Sequence, residues 1–454
     1  MSAVERIPCE VLVGEVTSST KLAMAELEAA PLATAAWGAL RGVDDVERMT
    51  EAGLVPADTV HALWEQKSRM DAVFDAGKAK AYYTVRAALL GEPAPARFWN
   101  RAGTKLDEVL AATGLLAPGS VDRFENLFFI DLCGGPGSFA QVLFNHMPAA
   151  DGAGITLESP GVEPHSRWYS KLASCDQFTP VRGPHPTSTG DILVEDNINE
   201  LAKVAAANGL ANIVVADGLL KAPSGTQHKE NLEELFCARI IVAQLVAMFR
   251  TLRPGGAFVL RLSDVFSEFT ISVVFVLAQV FDAVRIVKPP SSRIVSSERY
   301  AVCTGRKPES DELAFWASRA TAVYRAATPF VLATALVDPK LYKGDEAFWS
   351  SLGKTVADHA ERQTSALKAI MDGVDELLDE SSDAAARFQL AIDEAKLPDA
   401  DAPTTPPAPL VWTPNMFSRK RRRSVDAGSN DRRRSRGDRG RDRRDRDRDR
   451  DRDR

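Results

Sequence analysis

The sequence predicts an α/β protein built on a doubly wound, mostly parallel sheet with helical regions on either side. Two observations carry the prediction. Between Leu127 and Thr304 short β-rich runs alternate with helical segments, as strands and crossover helices do in a parallel sheet. The first of these runs, FFIDLCGGPGSFAQVLF from Phe128 to Phe144, passes from an apolar stretch ending in an acid, through a Gly-Gly-Pro-Gly turn, into a helical pattern. That is the grammar of a strand, a ligand loop and a helix.

Residues 20 to 90 are rich in Ala, Leu, Glu and Lys at helical spacing, as in MTEAGLVPADTVHALWEQKSRMDAVF, and predict an N-terminal helical region over 1–95. LFFIDL, AGITL, NIVVAD, AFVLRL, AVRIVK and RYAVCT predict the strands of a central domain over 96–308. DELAFWASRATAVYRAA and SALKAIMDGVDELLDE predict a helical extension over 309–397. From 398 onward a Pro-rich linker, PDADAPTTPPAPLVWTPN, leads into an Arg/Asp-rich tail ending at 454. Such a composition cannot form a core and is expected to be disordered.

The net charge of −6 conceals an asymmetry: Arg419 to Arg454 hold 18 basic and 9 acidic residues, a net of +9, which leaves −15 on the rest. An acidic body with a basic tail assigns any long-range attraction for a polyanion to the tail. The five cysteines are scattered without CxxC or Cys/His spacing, so a reducing compartment and no structural metal are expected. Charges at Glu5, Arg6 and Glu10 interrupt any signal-peptide core, and the longest apolar runs, Ile240 to Phe249 and Thr270 to Phe281, are too short to span a bilayer. A soluble intracellular protein without membrane association is expected.

Read literally, Gly135-Pro136-Gly137-Ser138-Phe139-Ala140 fits the dinucleotide fingerprint, with Glu158 about 20 residues on, where an acid could hold ribose hydroxyls. Asp131 at the preceding strand end argues otherwise. A carboxylate there repels a pyrophosphate but favours the ammonium and sulfonium of S-adenosylmethionine. The bland alternative is a tight turn with no ligand. Downstream, NIVVADGLL puts Asp217 at a strand end, TLRPGGAFVLRLSDVF puts Arg261 on another strand, and SSRIVSSERYAVC puts Glu298 at the start of a third. Upstream, FWNRAGTKLDEV puts Lys105 on a helix. At the carboxyl ends of parallel strands these side chains converge on one crevice.

Together these segments resemble the FtsJ/RrmJ-type RNA 2′-O-methyltransferases, and among them the eukaryotic mRNA cap 1 ribose methyltransferases. The resemblance runs from about Arg97 to Lys307 through NRAGTK, DLCGGPGSF, GITLE, GDI, ADG, KENLEELFCARIIVAQLVAMF, RLSDVF and KPPSSRIVSSERYAVCTG. It implies a Rossmann-like fold, S-adenosylmethionine as methyl donor, and transfer to a ribose 2′-hydroxyl of the first transcribed nucleotide of capped mRNA. It also implies donor contacts at Asn100, Asp131, Cys133, Gly134, Gly135, Pro136, Gly137, Ser138, Phe139, Glu158, Asp191 and Ile192. RNA or cap contacts are implied at Asn231, Leu232, Glu233, Arg293 and Ser296. The bland readings are a helix cap for Asn100, a loop acid capping the next helix for Asp191, and solvated surface for the RNA set. Trp99, Trp168 and Tyr169 are candidates for stacking on a cationic methylguanine, though each also reads as a core aromatic.

The family's Lys-Asp-Lys-Glu tetrad falls on Lys105, Asp217 and Glu298, with Arg261 in place of the second lysine. A lysine can be tuned to accept a proton, whereas a guanidinium stays charged in any protein site. Three readings follow: Arg261 orients the hydroxyl while its proton leaves to Asp217 or water; Lys105 handles the proton; or the domain binds donor and RNA as a scaffold with little catalysis. The bland reading of Arg261 is an arginine paired with Asp217 or Glu298. A ribosomal or transfer RNA substrate is the alternative within the class, and an NAD-dependent dehydrogenase, supported only by the glycine match, the alternative outside it. RKRRR reads as a nuclear import signal, placing the protein in the nucleus, and the tail as a contact for transcription or RNA-processing machinery.

Overall fold

Two strands of the central segment, FFIDL and ANIVVA, are buried at every position, as strands covered by helices on both faces must be. The structure is a computed structural model that describes residues 4, 6–8, 10–19, 33–36, 52–91, 97–117, 127–158, 166–186, 188–220, 233–328, 331–379 and 383–396. In chain order the strands are β1 Leu12–Val16, β2 Ala33–Ala36, β3 Phe128–Leu132, β4 Asp151–Ile155, β5 Phe178–Val181, β6 Ala211–Ala216, β7 Leu252–Leu262, β8 Phe281–Lys288, β9 Arg299–Arg306 and β10 Val331–Ala335. The helices are α1 Ala57–Asp75, α2 Ala79–Leu90, α3 Arg101–Thr113, α4 Ser138–His146, α5 Ser170–Ala173 and α6 Glu195–Ala207. They continue with α7 Glu233–Thr251, α8 Glu268–Val280, α9 Asp311–Ala326, α10 Pro339–Lys343, α11 Glu346–Leu378 and α12 Ala384–Lys396.

Eight strands form one sheet in the order β1-β8-β9-β7-β6-β3-β4-β5, and β2 with β10 forms a separate two-stranded ribbon. Strands β5, β4, β3, β6 and β7 run parallel. Strand β9 is antiparallel to both β7 and β8. The chain steps outward from β3 to β5, then returns to lay β6 on the other side of β3. Strand order thus reverses between β3 and β6, which opens a crevice at their carboxyl ends. Because β9 runs against β7, its first residues lie at that same edge, with Tyr300 opposite Arg261 and Arg299 opposite Leu262. Along β3, Phe128, Ile130 and Leu132 enter one core and Phe129 the other, the period of two expected of a strand.

Four strands were not predicted: β2 and β10, which pair with each other across the two regions expected to be helical, and β1 and β5 of the main sheet. Strand β1, within the region expected to be helical, pairs antiparallel with β8, Leu12 opposite Lys288. It is an edge strand that buries Leu12 and Val16 while exposing Val13, and its partner lies so far along the chain that no local pattern announces the pairing. Strand β5, FTPV, is four residues long with a proline, tolerated because it lies at the opposite edge. The N-terminal helices and the later ones share cores with the sheet: Leu352, Val356 and Leu367 of α11 join Leu63 of α1 and Ile286 of β8. Further along α11, Ile370 and Val374 pack with Val73, Tyr82 and Phe388. Among the described residues no helix is long and apolar enough to cross a membrane. The linker and tail, 398–454, lie outside the described residues.

Candidate active site

Lys105, Asp217, Arg261 and Glu298 meet at the carboxyl edge of the sheet. Lys105 reaches from α3 and donates to both carboxylate oxygens of Glu298, at 2.7 and 2.6 Å. Arg261, one residue before the end of β7, places Nε 3.8 Å from Asp217 Oδ1 and 3.9 Å from Glu298 Oε1. Its other limb lies 3.6 Å from Glu233 at the start of α7. Arg261 Nε is buried and has no hydrogen-bond acceptor, so the guanidinium is held by charge without being locked by a short contact. Burial alone would lower its pKa, but Asp217 and Glu298 hold it above its ordinary value. Tyr300, unpredicted, lies between the two acids: its hydroxyl donates to Glu298 Oε1 at 2.6 Å and stands 3.4 Å from Asp217 Oδ1. Burial pushes the Tyr300 phenol well up, so it stays neutral.

The two acids differ in proton affinity. Burial raises Asp217 to about 6, with Arg261 opposing and Glu298 adding to the rise. Glu298 meets the same burial, yet Arg261 and Lys105 hold it below the usual carboxylate range. Asp217 is therefore the carboxyl better suited to accept a proton near neutral pH.

The edge is braced from behind by a charge network unseen in the sequence. Lys67 of α1 donates to Asp264 Oδ2 at 2.8 Å and to Ser297 Oγ at 3.0 Å, while Arg299 donates to Asp264 Oδ1 at 2.8 Å. Burial would raise Asp264, but Lys67 and Arg299 hold it down to about 2. Buried Lys288 donates to the carbonyls of Ser296 and Glu298, at 2.6 and 2.8 Å. The backbone around Glu298 is thereby pinned from two sides. Glu234 braces the next turn by accepting from the amides of Phe266 and Ser267, both at 3.0 Å.

The glycine loop, Cys133 to Gly137, closes between β3 and α4. A Cβ on Gly135 would lie 1.9 Å from the Ser166 carbonyl oxygen, and one on Gly134 2.2 Å from the Asp131 carboxyl, so both positions require glycine. Asp131 accepts from the Ala140 amide at 3.1 Å, and its other oxygen, Oδ1, is buried without a partner. Burial pushes its carboxyl well up. Burial, and after it the nearby Asp131, Asp191 and Asp217, also raises the neighbouring Cys133 thiol. Asp191 and Asp217 around the loop, with the orphan oxygen of the buried Asp131 beneath it, suit a cationic ligand and oppose a pyrophosphate. S-adenosylmethionine fits this site. After Asp217, Gly218 donates to Gln244 Oε1 at 2.9 Å, anchoring the second crevice loop to α7.

The remaining expected donor contacts carry local structural bonds. Asn100 caps α3 by accepting from the Ala102 amide at 2.9 Å, and its own amide donates to Ser138 Oγ at 3.1 Å, tying the helix to the glycine loop. Asp191 accepts from the Leu193 amide at 2.9 Å, shaping the turn before α6, and Ile192 beside it is buried. Glu158 is ion-paired with Arg182. Phe139 and Trp168 are core residues, Trp168 packing edge-on against Phe178. Trp99 and half-exposed Tyr169 contact each other beside the loop, and the Tyr169 amide donates to the Pro136 carbonyl. Ser296 accepts from the Glu298 amide at 3.1 Å. Asn231 and Leu232 lie outside the described residues.

A reversed strand order, a glycine loop and an acidic crevice define a Rossmann-like methyltransferase, and residues 98–306 match the FtsJ-like methyltransferase family. The cap-specific mRNA (nucleoside-2′-O-)-methyltransferase 1 of Trypanosoma brucei brucei is 34% identical over 335 residues, 70% of this chain and 84% of that protein. Its namesake in Trypanosoma cruzi is 38% identical over 256 residues, 54% of this chain and 67% of that one. The Bos taurus namesake is 30% identical over 253 residues, covering 54% of this chain and 30% of that longer protein. The chain belongs to the cap-specific mRNA (nucleoside-2′-O-)-methyltransferase 1 family.

Proposed function

We propose that this protein methylates the ribose 2′-hydroxyl of the first transcribed nucleotide of capped mRNA, using S-adenosylmethionine. The observation that carries the reading is the meeting of Lys105, Asp217, Arg261 and Glu298 beside the glycine loop. Residues 133–138 with Asp131 and Asp191 hold the donor, which supplies an electrophilic methyl group when bound. The residues of the chain do the rest. Lys105 has three N–H donors and directs its bonds at Glu298, leaving capacity to orient a hydroxyl. Arg261 offers its unpartnered Nε–H to the same oxygen and balances two carboxylates. Asp217, its proton affinity raised by burial, takes the hydroxyl proton. A lysine base is then unnecessary at position 261. General-base assistance is worth about 10²- to 10⁴-fold, and positioning supplies the remainder.

The test is transfer of labelled methyl to a short capped RNA by the native chain beside Asp217→Ala and Arg261→Lys. Activity in the native chain and loss in Asp217→Ala support the reading. Activity confined to Arg261→Lys would make the native chain a scaffold, and activity confined to uncapped ribosomal or transfer RNA would redirect the substrate.

For the tail we propose nuclear import through RKRRR and contacts to RNA-processing machinery. Deleting Arg419 to Arg454 should reduce nuclear retention and leave catalysis on a short capped RNA unchanged. Loss of catalysis with normal retention refutes this.

A further inference from the structure

Arg101 lies one helical turn before Lys105 on α3, so both side chains leave the same face of that helix. Arg293 stands between the 3-10 turn Pro290–Ser292 and Glu298, with a left-handed φ of 63°. The charges of Arg86, on α2, and of Arg101 both act on Arg293, alongside Tyr82 and Tyr83. The Arg86 guanidinium lies 4.9 Å from the Tyr83 ring centre and 5.9 Å from that of Tyr82. Phe74 packs edge-on against both rings, at 5.3 and 5.7 Å, and fixes them in place. Tyr83 is nonetheless 47% exposed.

None of the three arginines forms an ion pair with a described residue. Several other arginines do find acids: Arg69 pairs with Asp372 and Asp375, and Arg250 and Arg325 share Glu195. A body with a net charge of −15 therefore carries a strip of guanidinium groups that begins one helical turn from Lys105, has no counter-ion among the described residues and has an exposed aromatic ring among them. Burial and the like charges of Arg86 and Arg101 lower the pKa of Arg293, in keeping with uncompensated positive charge.

We propose that this strip binds the RNA chain continuing from the capped 5′ end, with Arg101, Arg293 and Arg86 meeting phosphates and Tyr83 stacking on a base. The inference rests on the functional reading above and extends it from the first nucleotide to the body of the transcript. A basic track interleaved with aromatic faces is how single strands are held without regard to sequence. A phosphorylated polypeptide would need the charge but not the ring.

The test compares capped RNAs of about four and about twenty nucleotides on the full chain, native beside Tyr83→Ala and Arg86→Ala, reading Kd by anisotropy and, separately, methyl transfer. Each variant should raise Kd and KM for the long RNA about fivefold or more, with kcat and the short-RNA KM unchanged. Arg86→Ala should also lower the slope of log Kd against log salt by about 0.7, and Arg86→Lys should restore it. Tyr83→Phe should keep the affinity. Equal losses on the short RNA, or unchanged affinity for the long one, would overturn the proposal. So would intact RNA affinity alongside loss of a phosphoserine peptide that the native chain binds. A native chain that binds long RNA through Tyr83 and Arg86 but transfers no methyl group keeps the strip and sinks the functional reading instead.

Discussion

Replacing Arg261 by glutamine removes a charge that Asp217 and Glu298 share at 3.8 and 3.9 Å. At an effective dielectric of about 20, each attraction is worth about 4 kcal/mol. The side chains of Arg261 and Asp217 are 15% and 23% exposed, so solvent screens part of this. Keeping half leaves about 2 kcal/mol, or about 1.5 units in the pKa of Asp217. The native carboxyl, raised to about 6, is mostly ionised at neutral pH. In the variant it would titrate at about 7.5 and be ionised only about one part in four at pH 7. The sign is fixed by the role: transfer needs the carboxylate, so kcat/KM rises with pH through the Asp217 pKa. Single-turnover methyl transfer between about pH 5 and 9.5 should show the acid limb near 6 in the native chain and about 1.5 units higher in Arg261→Gln. At the plateau only the loss of the Nε–H donor should remain. An acid limb that stays put while the whole profile drops uniformly would refute the assignment of Asp217 as proton acceptor.

Other consequences follow from the same geometry. Arg261→Lys introduces a group able to lose its proton, so its profile should gain an ionisation absent from the native enzyme. Tyr300→Phe removes the hydroxyl that donates to Glu298, and kcat/KM should fall about tenfold or more. Unchanged kinetics would show that the Tyr300 hydroxyl is dispensable. Asp264→Ala strands Lys67 and Arg299 as buried charges and should cost about 3–5 kcal/mol in urea unfolding. In the native chain Asp264, held at about 2, contributes stability above the ordinary carboxylate range that is lost as pH falls towards 2. Acid unfolding that Asp264→Asn leaves unaltered would count against this. Gly135→Ala, whose Cβ would lie 1.9 Å from the Ser166 oxygen, should abolish S-adenosylmethionine binding by calorimetry while the far-ultraviolet spectrum is kept.

The sequence by itself determined what local patterning can encode. Apolar runs such as FFIDL and NIVVA are strands because nothing else buries them on both faces, and the Gly-Gly-Pro-Gly turn admits no side chain without collision. Lys105, Asp217, Arg261 and Glu298 were visible as chemistry-bearing residues at element ends, and the resemblance grouped them. Their protonation was not visible. The rise of Asp217 and the fall of Glu298 depend on burial and on charges brought from four separate elements, which only the reversed strand order and the antiparallel β9 place side by side. Tyr300 could have been found from its place two residues after Glu298, since alternate residues at a strand's start share a face, but only the fold shows that it touches Asp217. Asp131 was placed correctly at the strand end and then found under the loop, because the close approach of Gly134 buries its carboxyl. Lys67, the edge strand β1 and the Arg86–Tyr83 strip belong to a region whose composition says only helix, and long-range packing against α11, β8 and the Glu298 segment gave them their places.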